Sequence, residues 1–128
     1  MSKTTILIVS SPSLSRIIRH LFRGRPEYEV VGAVSGLESL GQHPERFSPG
    51  LIVADVKPMS VRVCQAVASI KRYSPISKLI VICPVEDLSR TARRCGADAC
   101  LNDQNLASHL VRTARTLTER RRLANAGD

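Results

Sequence analysis

The sequence predicts a doubly wound α/β domain, a five-stranded parallel sheet with helices on both faces. Ile6–Val9, Leu51–Ala54 and Leu79–Cys83 are unbroken apolar runs. Runs this short and without alternation suit strands covered on both sides, as parallel sheets require. Segments with apolar residues three and four apart lie between them, and strands alternating with helices build βαβ units. The length of 128 residues is one domain's worth. No linker, repeat or low-complexity segment divides the chain, so 1–128 reads as a single domain.

The elements follow in order. Ile6–Val9 is the first strand. Ser13 stands where a helix N-cap is expected, because its hydroxyl can accept from an unpaired backbone N–H. Leu14, Ile17, Ile18, Leu21 and Phe22 then form one helical stripe, closed by Gly24 and Pro26. Tyr28–Val34 is the second strand, and a short helix is expected from Leu37 to about Gln42. Leu51–Ala54 is the third strand, ending at Asp55. Val61–Arg72 is helical, with Val63, Val67 and Ile70 inward, and Ser74-Pro75 breaks it. Leu79–Cys83 is the fourth strand. Asp87–Arg94 is a short helix with Gly96 as its C′ residue. Ala99–Leu101 is the fifth strand. Asp103 to about Arg122 is the last helix, with Leu106, Leu110, Ala114 and Leu117 inward, and residues 122–128 are expected to fray.

Composition narrows the function. Hydrophobic residues make up 43% and charged residues 23%, a balance of globular rather than disordered chains. The apolar runs are too short to cross a bilayer, and no secretory leader is visible, so a cytoplasmic protein without membrane contact is expected. Four cysteines, Cys64, Cys83, Cys95 and Cys100, are then expected as reduced thiols. None of their spacings is a C-x-x-C, so neither a zinc site nor a thioredoxin-type motif is indicated. The net charge of +8 is unevenly spread. Met1–Pro26 holds five bases and no acid, Glu27–Val111 is balanced, and Arg112–Asp128 holds five bases against two acids. Both ends of the chain are basic, which suits an anion-facing surface.

In open parallel sheets ligands meet the carboxyl ends of the strands, at the point where strand order reverses. Ser10 and Ser11 follow the first strand, Asp55 the third, Cys83 and Pro84 the fourth, and Asn102 and Asp103 the fifth. At these residues the chain resembles a known family, the receiver domains of bacterial response regulators. Ile6-Leu-Ile-Val-Ser-Ser-Pro-Ser-Leu-Ser-Arg16 is similar to the family's opening strand and helix. Tyr28-Glu-Val-Val-Gly32 is similar to its second strand, and Leu51-Ile-Val-Ala-Asp-Val-Lys-Pro-Met59 to its phosphoacceptor strand and loop. Leu79-Ile-Val-Ile82 and Gly96-Ala-Asp-Ala99 match the fourth strand and the approach to the fifth. The resemblance implies the flavodoxin-like, CheY-like receiver fold, with strand order 2-1-3-4-5 and five helices.

It also implies a site, residue by residue. Asp55 falls on the phosphorylated aspartate. Ser10 and Ser11 replace the acidic pair that holds magnesium. Cys83 replaces the switch hydroxyl and Cys100 the aromatic switch residue. Asn102 or Asp103, depending on a one-residue gap, replaces the lysine. Magnesium wants oxygen ligands that include carboxylates, and phosphoryl transfer relies on charge neutralisation by metal and lysine. With those positions substituted, magnesium binding is expected to be weak or absent.

The expected function is therefore that of a pseudo-receiver, a non-enzymatic interaction module in two-component phosphorelay signalling. Its partner would be a signalling protein such as a histidine kinase or an output protein. A working phosphoacceptor at Asp55 with an altered site is a second reading. A basic module for nucleic acid or another polyanion is a third, weakened because four aromatics leave little for base stacking. Order 2-1-3-4-5 with right-handed crossovers puts the first and last helices on one side of the sheet. Arg16, Arg19, Arg23, Arg112 and Arg115 would then share a basic face. No catalytic set and no metal site can be assembled from the sequence; His20, His43 and His109 are scattered.

Overall fold

The computed structural model describes residues 3–36, 49–55, 61–83, 94–102 and 104–126, with side chains for all of these except 61–63, 73 and 120–126. The elements are β1 (Thr4–Val9), α1 (Pro12–Phe22), β2 (Tyr28–Val34), β3 (Leu51–Asp55), α2 (Val61–Tyr73), β4 (Lys78–Ile82), β5 (Ala99–Leu101) and α3 (Leu106–Ala126). The strands form one sheet in the order β2-β1-β3-β4-β5, and all four pairings are parallel. The helix expected over Leu37–Gln42 and most of that over Asp87–Arg94 lie outside the described residues; Arg94 and Cys95 are helical.

Alternation along the buried strands splits the core into two layers. Ile6, Ile8, Leu51, Val53, Ile80 and Ile82 face one side, where α1 contributes Ile18 and Phe22, and α3 contributes Leu106, Leu110, Ala114 and Leu117. Leu7, Val9, Ile52, Ala54, Leu79 and Val81 face the other, against Val67 and Ile70 of α2 and Cys95 and Ala97 ahead of β5. The first and last helices thus share a face, as right-handed crossovers demand. Across that layer Phe22 meets Tyr28 edge to face at 5.1 Å, and the Tyr28 hydroxyl lies 3.3 Å from Thr118 Oγ1.

Several boundaries differ from the sequence expectation, each for a local reason. Ser11, not Ser13, caps α1. Pro12 at the first helical position has no N–H to lose, so the helix starts there, and Ser11 Oγ accepts from the Leu14 N–H at 3.4 Å. β1 begins at Thr4, because Thr4 and Thr5 still find partners in Tyr28 and Glu29 of β2. β4 begins at Lys78 and ends at Ile82, one residue earlier than the apolar run suggests. α3 begins at Leu106 rather than Asp103, because the Asn102 and Asn105 side chains cap each other's backbone N–H, both at 2.9 Å. The same helix continues to Ala126, past Arg122, through residues of good helix propensity.

The opposite layer holds one ion pair and one cross-link. Asp98 Oδ2 accepts from Lys71 Nζ at 2.9 Å and from the Leu79 N–H at 2.8 Å. Gly96 adopts φ +119°, which favours glycine, and a Cβ there would also press on Lys71 Cγ at 3.3 Å. Cys64 of α2 is disulfide-bonded to Cys95, with Cα atoms 5.2 Å apart. This corrects the expectation of four reduced thiols. Packing α2 onto β3 and β4 brings together two cysteines 31 residues apart, a proximity that their spacing does not signal. Closing a loop of that length removes unfolded-state entropy worth roughly 2–4 kcal/mol. Reductant is expected to lower the melting temperature by about 10 °C. The double variant Cys64→Ser, Cys95→Ser should melt at the lower temperature and show no further response to reductant.

Candidate functional site

The carboxyl ends of β1, β3, β4 and β5 place most of the expected site residues along one rim of the sheet. Asp55 closes β3, the middle strand, opposite Ile82 of β4. Ser10 follows β1, Cys83 follows β4, Cys100 lies within β5 and Asn102 just beyond it. Asp103 lies outside the described residues, as do Pro84, Pro58 and Met59.

The side chains at these strand ends are engaged locally. Ser10 is buried, and its hydroxyl donates to the Ser11 carbonyl at 3.0 Å and lies 2.7 Å from Ser15 Oγ on α1. Ser11 Oγ caps α1. Asn102 is held in the reciprocal turn with Asn105. Cys83 is buried, and its N–H donates to the Leu101 carbonyl at 2.7 Å, extending the β4–β5 ladder by one bond. Burial first, then the neighbouring Cys100 thiol and the Asp55 carboxylate, push the Cys83 thiol up to about 12 from an ordinary 9.0. All four cysteines belong to the α2 layer, two as the disulfide and Cys83 with Cys100 as free thiols.

This donor set does not fit magnesium, the ion the resemblance implies. A hard divalent cation needs several oxygen ligands, usually with one or two carboxylates. Here the β1 end supplies neutral hydroxyls, one turned toward Ser15 and the other capping α1. Among the described residues no three of His, Cys, Asp and Glu converge as a metal site.

The basic residues divide into two groups. Arg16 and Arg19 of α1 are exposed and line a groove of about 400 Å³ beside β2, together with Ser10, Ser15, Ala33 and Ser35. Arg23 is the exposed C-cap of α1, and Arg112 and Arg115 are exposed on α3. Arg115 is not a bare charge, because its guanidinium reaches Glu27 Oε1 at 3.4 Å. The Glu27 carboxyl is held below the ordinary range, chiefly by its own backbone N–H and then, against a desolvation cost, by Arg115. Sequence reading missed the groove, because Ala33 and Ser35 carry no motif and matter only through the space they leave. It missed the Glu27–Arg115 pair because 88 residues separate the partners. No described helix is long and apolar enough to cross a membrane.

Set beside solved structures, the fold is shared. The signal receiver domain of a putative LuxO repressor protein from Vibrio parahaemolyticus superposes with a TM-score of 0.80 and 21% identity, over all of this chain and 98% of that one. The receiver domain of the putative response regulator NarL from Mycobacterium tuberculosis gives 0.78 and 14%, over 93% of this chain and 98% of that one. The RcsB response regulator from Salmonella typhimurium gives 0.79 and 15% over 93% of this chain, which spans 61% of the length of RcsB. The chain has the CheY-like receiver fold. No family model matches its sequence, and no curated protein does.

The Cys83 thiol gives the site a pH signature. Because its folded value lies above the ordinary 9.0, the folded state keeps a proton that the unfolded chain releases. The stability this contributes is complete below pH 9 and is lost as pH rises toward about 12. Stability measured by denaturant titration should therefore fall across that window, and less steeply in Cys83→Ala. Near neutral pH, Cys83 should resist alkylation in the folded protein and react once it is unfolded.

Proposed function

We propose that this chain is a receiver-like module of the response-regulator type that signals by protein contact, without magnesium-dependent phosphorylation. The observation that carries the reading is what happens at the end of β1. The resemblance puts Ser10 and Ser11 at the positions of a carboxylate pair, and in the structure each hydroxyl is committed to local contacts, which supports the reading. Among the described residues at the strand ends, a phosphoryl group on Asp55 would meet neutral oxygens from β1, a thiol at Cys83 and a carboxamide at Asn102. Positioning and charge neutralisation are most of what catalyses phosphoryl transfer. The module is accordingly a binding protein and not an enzyme.

Its partner is another signalling protein, a histidine kinase or an output protein, with an acidic surface. The arginines of α1 and α3, which lie on one face of the sheet, are the contact we propose. Such a field steers association and is screened beyond a Debye length of about 8 Å.

Two measurements test this reading. Incubated with a small phosphodonor and magnesium, the protein should keep its unmodified intact mass. A substantial phosphorylated species that disappears in Asp55→Asn would instead establish a working phosphoacceptor. In a salt series, labelled duplex DNA should bind weakly and without length dependence. Tight binding with a steep salt slope would move the basic residues to a nucleic-acid role.

A further inference from the structure

The groove beside β2 shares Arg16 and Arg19 with the contact proposed above, and its other lining residues have no part in that reading. Its volume of about 400 Å³ lies within the roughly 300–1,000 Å³ of small-molecule sites. It lies between α1 and the end of the edge strand, where the small residues Ala33, of β2, and Ser35, just after it, are among the described lining.

The helix wall is strongly basic. Arg16 and Arg19 are one turn apart, and both line the groove. Among the described residues, the ion pairs are Lys71–Asp98 and Arg115–Glu27, and neither involves these arginines. Residues 1–26 contain no acid at all. A guanidinium stays protonated at any physiological pH and offers five N–H donors and no acceptor. The floor does not compete for a ligand's charge. Ser10 gives its one hydroxyl proton to the Ser11 carbonyl, so in the 2.7 Å Ser10–Ser15 contact Ser15 is the donor. The rest of the lining is Pro12, Ala33, Val34 and Ser35, of which Val34 packs its side chain against the opposite layer.

We propose that this groove binds a small phosphate monoester, its phosphoryl group on Arg16 and Arg19 and its organic body against Pro12 and Ala33. Two guanidinium forks suit a dianion with three terminal oxygens, whereas one fork satisfies a carboxylate. A bare phosphate would occupy a small part of the space and leave the apolar wall uncovered. A nucleoside monophosphate and a sugar phosphate share the required chemistry; the flat base of the former also stacks on a guanidinium plane.

Calorimetric titration with adenosine monophosphate, guanosine monophosphate, a hexose phosphate, adenosine and inorganic phosphate tests this directly. At least one monoester should bind stoichiometrically and more tightly than inorganic phosphate or adenosine. Arg16→Gln and Arg19→Gln should each weaken it by roughly tenfold to a hundredfold. Ala33→Leu, which fills the groove while keeping both arginines, should weaken it comparably. Arg72→Gln, the same charge loss on exposed α2, should leave it unchanged. Melting curves of the variants confirm that the fold is kept. A nucleotide preference over the hexose phosphate identifies the body as a base. Binding of no monoester, binding matched by inorganic phosphate alone, or equal weakening by Arg72→Gln would overturn the proposal.

Discussion

Burial of β1, β3 and β4 on both faces is the constraint from which the rest of the architecture follows. Ile6 to Val9, Leu51 to Val53 and Leu79 to Ile82 are at most 1% exposed. A parallel ladder with apolar side chains on both sides must be covered twice, so α1 and α3 take one layer and α2 takes the other. The order β2-β1-β3-β4-β5 then leaves β2 and β5 at the edges and sets β3, with Asp55 at its end, in the middle. The rim of strand ends and the groove beside β2 are both consequences of that arrangement. One arises where the buried strands stop, the other where the covering helix reaches the edge of the sheet.

At the rim, the side chains of Ser10, Ser11 and Asn102 have local structural work. Ser11 caps α1, Ser10 joins β1 to α1 through Ser15, and Asn102 joins β5 to α3 through Asn105. Cys83 is held protonated by burial and by its neighbours. Neutral, satisfied groups at these positions lower the cost of burying polar atoms near the strand ends, since a buried polar group is expensive mainly when it lacks a partner. No buried side-chain N or O among the described residues lacks one. A carboxylate pair would need a cation or strong donors to sit there at equal cost. Beside Asp55, the described part of the rim thus consists of neutral groups with local partners.

Charge is organised separately from the rim. The acid-free first 26 residues put positive charge on α1, and among the described residues no ion pair involves Arg16 or Arg19. On the α3 side one arginine is already neutralised in part by Glu27. The two helices share a layer, yet their arginines differ in availability. Arg16 and Arg19 open onto a cavity, while Arg115 closes a surface contact between α3 and the turn before β2.

The sequence by itself determined what depends on local pattern. Unbroken apolar runs marked β1, β3 and β4, helical spacing marked the stripe of α1 and the inward residues of α3, and Gly24 and Gly96 marked turns of positive φ. The strand-end positions, Asp55 among them, were legible because they lie next to those runs in the chain. Even there, Ser13 was read as the cap that Ser11 supplies, because which hydroxyl meets the free N–H depends on where Pro12 lets the helix begin. Only tertiary structure decided the rest. The Cys64–Cys95 bond, the Glu27–Arg115 pair and the groove under α1 each join residues that the chain keeps well apart. Their proximity is set by how helices dock across the sheet, and the spacing of residues along the chain carries no record of that docking.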